Sequence, residues 1–287
     1  MHSKHLSIHT DAQTFLAAAG SMLYARETVN NLILGISERL IRDPAAYEDP
    51  FFATVSNHTG EICLAAVMTP PHNLILAGDS SAEGSYPILI EYFKSQCVHI
   101  PGVTALAEIA DGFTWAWVQG AKERVIPGKQ LRVYELREVR MSDPPPGTFQ
   151  MACPADIPSI AQWIQAFEQE ALGEFHDADI DRAEKLVTKR QVFTWVVDGK
   201  LVSMAMKTRP IAHSTSVGGV YTPPEHRRQG YASALVANLS QYLLNEGNLF
   251  VNLFTDLDNP TTNKIYQAVG YHPVCDFRDY RFVNAPT

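Results

Sequence analysis

Val220-Tyr221-Thr222-Pro223-Pro224-Glu225-His226-Arg227-Arg228-Gln229-Gly230-Tyr231-Ala232, running on into Ser233-Ala234-Leu235-Val236-Ala237-Asn238-Leu239, reads as strand, loop and helix. Upstream, Ile211 to Tyr221 is short and rich in β-branched residues; downstream, Tyr231, Leu235, Leu239 and Tyr242 recur at helical spacing beside Val236 and Leu243. Pro223 and Pro224 stop the ladder because neither carries an N–H to pair, and Gly230 removes the side chain where loop becomes helix. The helix therefore opens on bare backbone N–H groups and a partial positive charge, beside Arg227 and Arg228. Those are the parts of an anion site, most simply one for a diphosphate. Two other phosphate-binding patterns do not fit the loop, which has neither a Gly-Lys-Ser/Thr ending nor a Gly-x-Gly start.

A second stretch follows the apolar strand Leu249-Phe250-Val251-Asn252-Leu253-Phe254. In Asn259-Pro260-Thr261-Thr262-Asn263-Lys264-Ile265-Tyr266-Gln267-Ala268-Val269-Gly270-Tyr271, Asn259 suits an N-cap, Pro260 the first helical position and Gly270 the C-terminal cap. Asn259, Asn263 and Tyr266 fall on one face of the enclosed helix, and Ile265 and Val269 on another.

Together the two stretches resemble the GNAT superfamily of N-acetyltransferases. Arg227, Gly230 and Ala232 match, in order, the family's acyl-CoA pyrophosphate loop, Gln/Arg-x-x-Gly-x-Gly/Ala after a strand. Ile265-Tyr266-x-x-x-Gly270-Tyr271 is close to what many members show. The resemblance implies an α/β (α+β) fold, a twisted mixed β-sheet flanked by helices, with acetyl-CoA as co-substrate and no metal. It implies that backbone N–H groups of Arg228, Gln229, Gly230, Tyr231 and Ala232 hold the pyrophosphate, with the Arg227 and Arg228 side chains adding charge. The edge backbone of Val220, Tyr221 and Thr222 would pair with the pantetheine arm, which Asn259 and Asn263 would also contact. Tyr266 would stand near the thioester sulfur as general acid.

The whole chain of 287 residues is long enough for one large domain or two ordinary ones. No apolar run reaches membrane-spanning length, and Met1-His2-Ser3-Lys4-His5-Leu6 lacks the apolar region of a signal peptide. Cys63, Cys97, Cys153 and Cys275 are scattered without metal-ligand spacing, and the ten histidines form no HExxH-like pattern. A cytoplasmic protein with neither a metal nor a membrane partner is expected. The net charge of −8 argues against nucleic acid as a partner and suits a small cationic acceptor; oligomeric state is not legible.

Ser142-Asp143-Pro144-Pro145-Pro146-Gly147 divides the chain almost in half. The expected organisation is a tandem: a GNAT-like domain over 1–141, a linker over 142–148 and an acetyl-CoA-binding domain over 149–287. Gly60 to Pro71 lines up without a gap against Gly199 to Pro210, and each is preceded by an aromatic, β-branched strand, Phe51 to Val55 and Val192 to Val197. An internal duplication follows. The first half continues with a strand Asn73 to Ala77, a helix Ser85 to Gln96, a strand Val103 to Glu108, a helix through Trp115 to Lys122 and a strand Leu131 to Leu136. Where the second half has its arginine loop, the first has Gly78-Asp79-Ser80-Ser81-Ala82-Glu83-Gly84, whose acids would repel a diphosphate. It reads as a degenerate copy without cofactor, serving as scaffold or as one wall of the acceptor cleft.

The second half opens with a strand Phe149 to Cys153 and helices Ile157 to Leu172 and Ile180 to Arg190. Glu168, Glu170, Glu174, Asp177, Asp179, Asp181 and Glu184 form an acidic string there, read first as a solvated face and second as an attractor for an amine. A primary alkyl amine, with a pKa of roughly 10, must lose a proton before it attacks. Many GNAT enzymes place a Glu on the strand before the loop, but Ile211 to Tyr221 holds no carboxylate. His213, or a water chain ending at Glu225, Glu170 or Glu174, is the alternative base. No cysteine sits beside an activating base, which disfavours an acyl-cysteine route. Two other classes stay open: a non-catalytic acyl-CoA sensor, suggested by the missing strand carboxylate, and an ATP-binding protein, disfavoured by the lack of a Ser/Thr after a Lys.

Overall fold

The computed structural model describes residues 4–119, 123–140, 143–173 and 175–283. The first half of the chain forms β1 (His5–His9), α1 (Ala12–Tyr24), α2 (Asn31–Arg42), β2 (Phe51–Ser56), β3 (Ile62–Met68), β4 (Leu74–Gly78), α3 (Tyr86–Ser95), β5 (Gly102–Leu106), α4 (Ala107–Val118) and β6 (Arg124–Leu136). The second forms β7 (Thr148–Met151), α5 (Ile157–Leu172), α6 (Ile180–Thr188), β8 (Val192–Val197), β9 (Lys200–Thr208), β10 (Ser214–Tyr221), α7 (Tyr231–Asn245), β11 (Phe250–Asp256), α8 (Pro260–Val269) and β12 (His272–Val283). Short 3-10 turns aside, both halves read β-α-α-β-β-β-α-β-α-β, the order a duplication produces. The hairpins that suggested it are equivalent: β2 pairs antiparallel with β3 and β8 with β9.

The chain folds as two compact units, one of Met1–Val133, Asp256–Asp258 and Val274–Thr287, the other of Tyr134–Thr255 and Asn259–Pro273. The first unit's strands include β1-β2-β3-β4-β5-β12 and β6 as far as Val133; the second's run β7-β8-β9-β10-β11 and then the last residues of β6, Tyr134 to Leu136. The strand that closes the second half of the chain, β12, thus joins the first unit from Val274 on, and the end of β6 passes into the second. β12 pairs antiparallel with β5 from Phe277↔Leu106 to Arg281↔Gly102. Tyr134 and Leu136 of β6, both fully buried, enter the core of the second unit with Leu253 and Tyr266. The dividing point therefore lies inside β6 and not at the proline-rich segment, of which Ser142, like Met141 before it, lies outside the described residues. Proline content marks where a strand cannot run; it does not say which sheet a strand joins.

One element of the first half is displaced from expectation. β5 ends at Leu106 and α4 begins at once, because Ile109, Ala110, Phe113 and Trp117 recur at three- and four-residue spacing and are buried together. The expected end of that helix, 120–122, lies outside the described residues.

In the second unit, α7 and α8 cover one face of the sheet through Leu235, Leu239, Tyr266 and Val269. α5 and α6 cover the other, with Ile160, Ile164, Ala183 and Val187 against Met204, Met206 and Tyr221. Among the described residues, no helix is long and apolar enough to cross a membrane.

Candidate active site

β10 leads into a 3-10 turn, Pro224–His226, and then into α7. Arg228 at φ 62° and Gly230 at φ 81° turn the chain through the left-handed region, so the helix starts with an exposed rim. Its first backbone bond is Ala234 N–H to Gly230 O at 3.0 Å, and no side chain caps it. The N–H groups of Tyr231, Ala232 and Ser233 precede that first bond and point out of the helix end.

Arg227 is built into this loop. Its Nε donates to Thr222 O at 2.9 Å and its guanidinium donates to both oxygens of Glu170 on α5, at 2.9 and 2.8 Å. Ser203 Oγ donates to Tyr221 O at 3.1 Å and lies 2.8 Å from Thr222 Oγ1, which fixes the strand exit from the β9 side. Arg228 and Gln229 are exposed, and the Tyr231 hydroxyl donates to Gln229 Oε1 at 2.8 Å.

β10 and β11 run parallel and pair only from Ser214↔Phe250 to Ser216↔Asn252. Asn252 holds that root: it accepts from Ser216 Oγ and donates to Ser214 Oγ at 2.9 Å, all three residues being fully buried. Beyond it the two strands part, and the β10–β9 register shifts between Gly218 and Tyr221. Gly219 sits in this bulge at φ 56°, and a Cβ there would lie 1.9 Å from Met206 Cε. The β11-facing backbone of Val217 to Tyr221 is therefore an unpaired edge, ending at the open mouth of α7.

On α8, Asn259 is the N-cap, its side chain accepting from Thr262 N–H at 3.2 Å, and Gly270 closes the helix at φ 115°. Asn263 Nδ2 donates to Asn259 O at 2.8 Å, and its Oδ1 accepts from the Tyr134 hydroxyl at 3.1 Å. These two amides hold the helix. Tyr266 is 7% exposed between the rings of Tyr134 and Tyr271, and its hydroxyl has no hydrogen-bond partner among the described residues. Burial pushes that phenol up to about 12, so it stays protonated at neutral pH.

The family model of the acetyltransferase (GNAT) family matches residues 157–271, from the start of α5 through Tyr271. This stretch is a GNAT acetyltransferase domain. The whole chain is similar in fold to several solved structures. A GCN5-related N-acetyltransferase from Sphaerobacter thermophilus is 15% identical with TM-score 0.61, over 99% of this chain and 97% of that one. A GNAT-family acetyltransferase from Colwellia psychrerythraea is 10% identical with TM-score 0.59, over 98% and 100%. A tandem GNAT protein from the clavulanic acid biosynthesis pathway is 14% identical with TM-score 0.56, over 99% and 100%. Identities this low show the fold alone.

Within the GNAT domain, Val220 to Ala232, Asn259, Asn263 and Tyr266 lie on the loop, strand edge and helix just described. His213 does not join them. It precedes β10 at the strand's far end, with its backbone O accepting from Leu249 N–H at 2.8 Å. Eight residues of extended chain put it about 26 Å from Tyr221. A cavity of about 390 Å³ lies at this same far end, lined by Gln191, Lys207, Thr215, Glu246 and Asn248, and takes in none of the loop residues. Most of the acidic string is a solvated face, with Glu170, Asp177, Asp179, Asp181 and Glu184 exposed, but three of its members have structural work. Glu168 is buried, 2.7 Å from both His176 Nε2 and Arg182 on α6; Asp179 caps α6; Glu170 clamps Arg227. Glu225 is exposed, and Glu174 lies outside the described residues.

The equivalent loop of the first unit is filled by its own side chains. Asp79 accepts from Ser81 N–H at 2.8 Å, and the Ser81 side chain first, with that N–H second, holds its carboxyl below the usual range. Lys4 Nζ donates to Ser81 O at 2.5 Å and lies 3.0 Å from Ser85 Oγ. An anion entering there would meet a carboxylate already seated on the donors.

Proposed function

We propose that the GNAT domain binds acetyl-CoA and transfers the acetyl group to the amine of a small, cationic acceptor, by direct attack on the thioester. One observation carries this reading: the parallel pairing of β10 and β11 stops at Ser216 and Asn252, and the edge so exposed on β10 leads to an uncapped helix N-terminus. An amide-rich chain ending in a diphosphate is complementary to that edge and that mouth together. The N–H groups of Tyr231 and Ala232 and the exposed Arg228 meet the diphosphate; Arg227 shapes the loop through Thr222 and Glu170. Asn259 and Asn263 hold α8, and with it Tyr266, in place beside that edge.

Tyr266 serves the leaving sulfur. With the phenol near 12 and a thiol near 8.5, complete proton transfer is uphill by ~5 kcal/mol, so a hydrogen bond to the developing thiolate is the larger part of its role. All four cysteines are unpaired, in keeping with a reducing, cytoplasmic setting.

Calorimetric titration of acetyl-CoA into the full chain, with ATP as control, tests the reading. One micromolar site per chain, followed by thiol release with an amine, is expected. Binding without thiol release for any amine would make the protein a sensor, and no binding would leave the loop a structural turn.

A further inference from the structure

The sheet of the second unit contains a single carboxylate. β7, β8, β9, β10, β11 as far as Thr255 and β6 from Tyr134 hold no Asp or Glu other than Glu135. It is 9% exposed, uncommon for a glutamate in a sheet interior. Its strand neighbours Tyr134 and Leu136 point into the core under α7 and α8, so alternation turns Glu135 to the opposite face, the side on which α5 and α6 lie.

Its level along the sheet follows from its neighbours. Arg137, the residue after β6, stacks 4.9 Å over the Phe250 ring at the start of β11, while Leu257, the residue after β11, donates its N–H to Gln130 O of β6, so β6 and β11 run in opposite senses. Two residues back from Arg137 is Glu135, and two residues on from Phe250 is Asn252. Glu135 therefore shares the level and the face of Asn252, Ser214 and Ser216, the buried polar cluster where the cleft begins. A thioester held along the unpaired edge of β10 brings its carbonyl toward that root. A carboxylate there faces an amine arriving from the α5 and α6 side.

The geometry points to Glu135 as the group that receives the acceptor's ammonium and takes its proton, the base that β10 itself does not supply. This rests on the acetyl-transfer reading above. The ammonium gives one proton to the Glu135 carboxylate, and the freed lone pair forms the C–N bond at the thioester carbonyl. The C–S bond then breaks, and the second nitrogen proton leaves as the thiolate is protonated. Products are the amide, the free thiol and one proton passed from Glu135 to solvent. Arg137 Nε donates to Glu135 Oε1 at 2.7 Å, which leaves the other carboxylate oxygen to meet the ammonium. The competing explanation is that Glu135 serves only to pair Arg137.

The test compares an amine that needs a base with one that does not. Thiol release from acetyl-CoA is measured at pH 7 with ethylamine, which is protonated there, and with hydroxylamine, which is already neutral. Glu135→Gln is expected to lose about 10²-fold or more in kcat/KM with ethylamine and to change little with hydroxylamine, acetyl-CoA affinity being unchanged. Arg137→Gln, which keeps the carboxylate, should retain the wild-type ratio of the two rates. Equal losses with both amines, no loss with either, or the same selective loss in Arg137→Gln would each overturn the proposal while leaving acetyl transfer standing. A wild-type protein that binds acetyl-CoA yet releases no thiol with either amine would overturn the transfer reading and the role of Glu135 with it. Should Glu135→Gln fail to fold, Glu135→Asp carries the same comparison, since it draws the charge back by one methylene.

Discussion

Gly230 needs its backbone conformation more than it needs space: a Cβ there would come no closer than 3.8 Å to the Pro145 ring, but φ is 81°. Alanine at this position costs about 1–2 kcal/mol in strain, while glutamate adds a negative charge beside the bare N–H groups. Gly230→Glu is therefore expected to raise the acetyl-CoA dissociation constant more than about 100-fold by calorimetry, because like charges meet at the diphosphate. Unchanged affinity would remove the loop from the site. Tyr266→Phe keeps the ring packing against Tyr134 and Tyr271 and removes only the hydroxyl. It should lower kcat about 10- to 100-fold with acetyl-CoA affinity nearly intact, the pattern of a contact made in the transition state. That Tyr266 shares a helix face with Asn259 and Asn263 was legible in their spacing. That those two amides are occupied by the cap and by Tyr134 was not, since Tyr134 lies far away in the chain.

At the scale of elements, two polar devices shape the cleft, and their burial sets their worth. The Arg227–Glu170 pair ties α5 to the loop, but its side chains are 43% and 50% exposed. Solvent screening leaves such a pair about 0.5 kcal/mol, so Glu170→Gln should weaken acetyl-CoA binding only two- to three-fold, and less in high salt. Asn252 is different. It is fully buried and joins Ser214 and Ser216 across the only paired part of β10 and β11. Asn252→Ala removes two buried hydrogen bonds at once, and a loss of about 2–3 kcal/mol in denaturant unfolding is expected. Glu170 belonged to a charge run that composition reads as a solvated face; only the approach of α5 to the loop distinguishes it from its neighbours.

For the whole molecule, burial of tyrosines predicts a response to alkali. Tyr266 and Tyr86 are both pushed up to about 12 by burial, so the folded chain keeps protons that the unfolded chain loses above pH 10. Their contribution is complete below pH 10 and is lost as pH rises toward 12, ~3 kcal/mol for Tyr266. The denaturant midpoint should fall between pH 10 and 11, and less steeply in Tyr266→Phe. Asp79 in the first loop predicts one acetyl-CoA per chain; a stoichiometry of two would contradict the filled state of that loop. The sequence by itself determined the repeated hairpin and the elements that follow it, the loop, the two caps of α8 and the acid in the first loop, because turn residues, caps and helical spacing act over a few neighbouring residues; β1, α1, α2 and β12 were not read from it. Tertiary structure alone decided that β12 joins the first unit while the end of β6 enters the second, that His213 stands at the far end of β10, and that Asn252 joins Ser214 and Ser216. Strand pairing joins residues more than a hundred positions apart through backbone groups that every residue carries, and no local pattern records which partner they find.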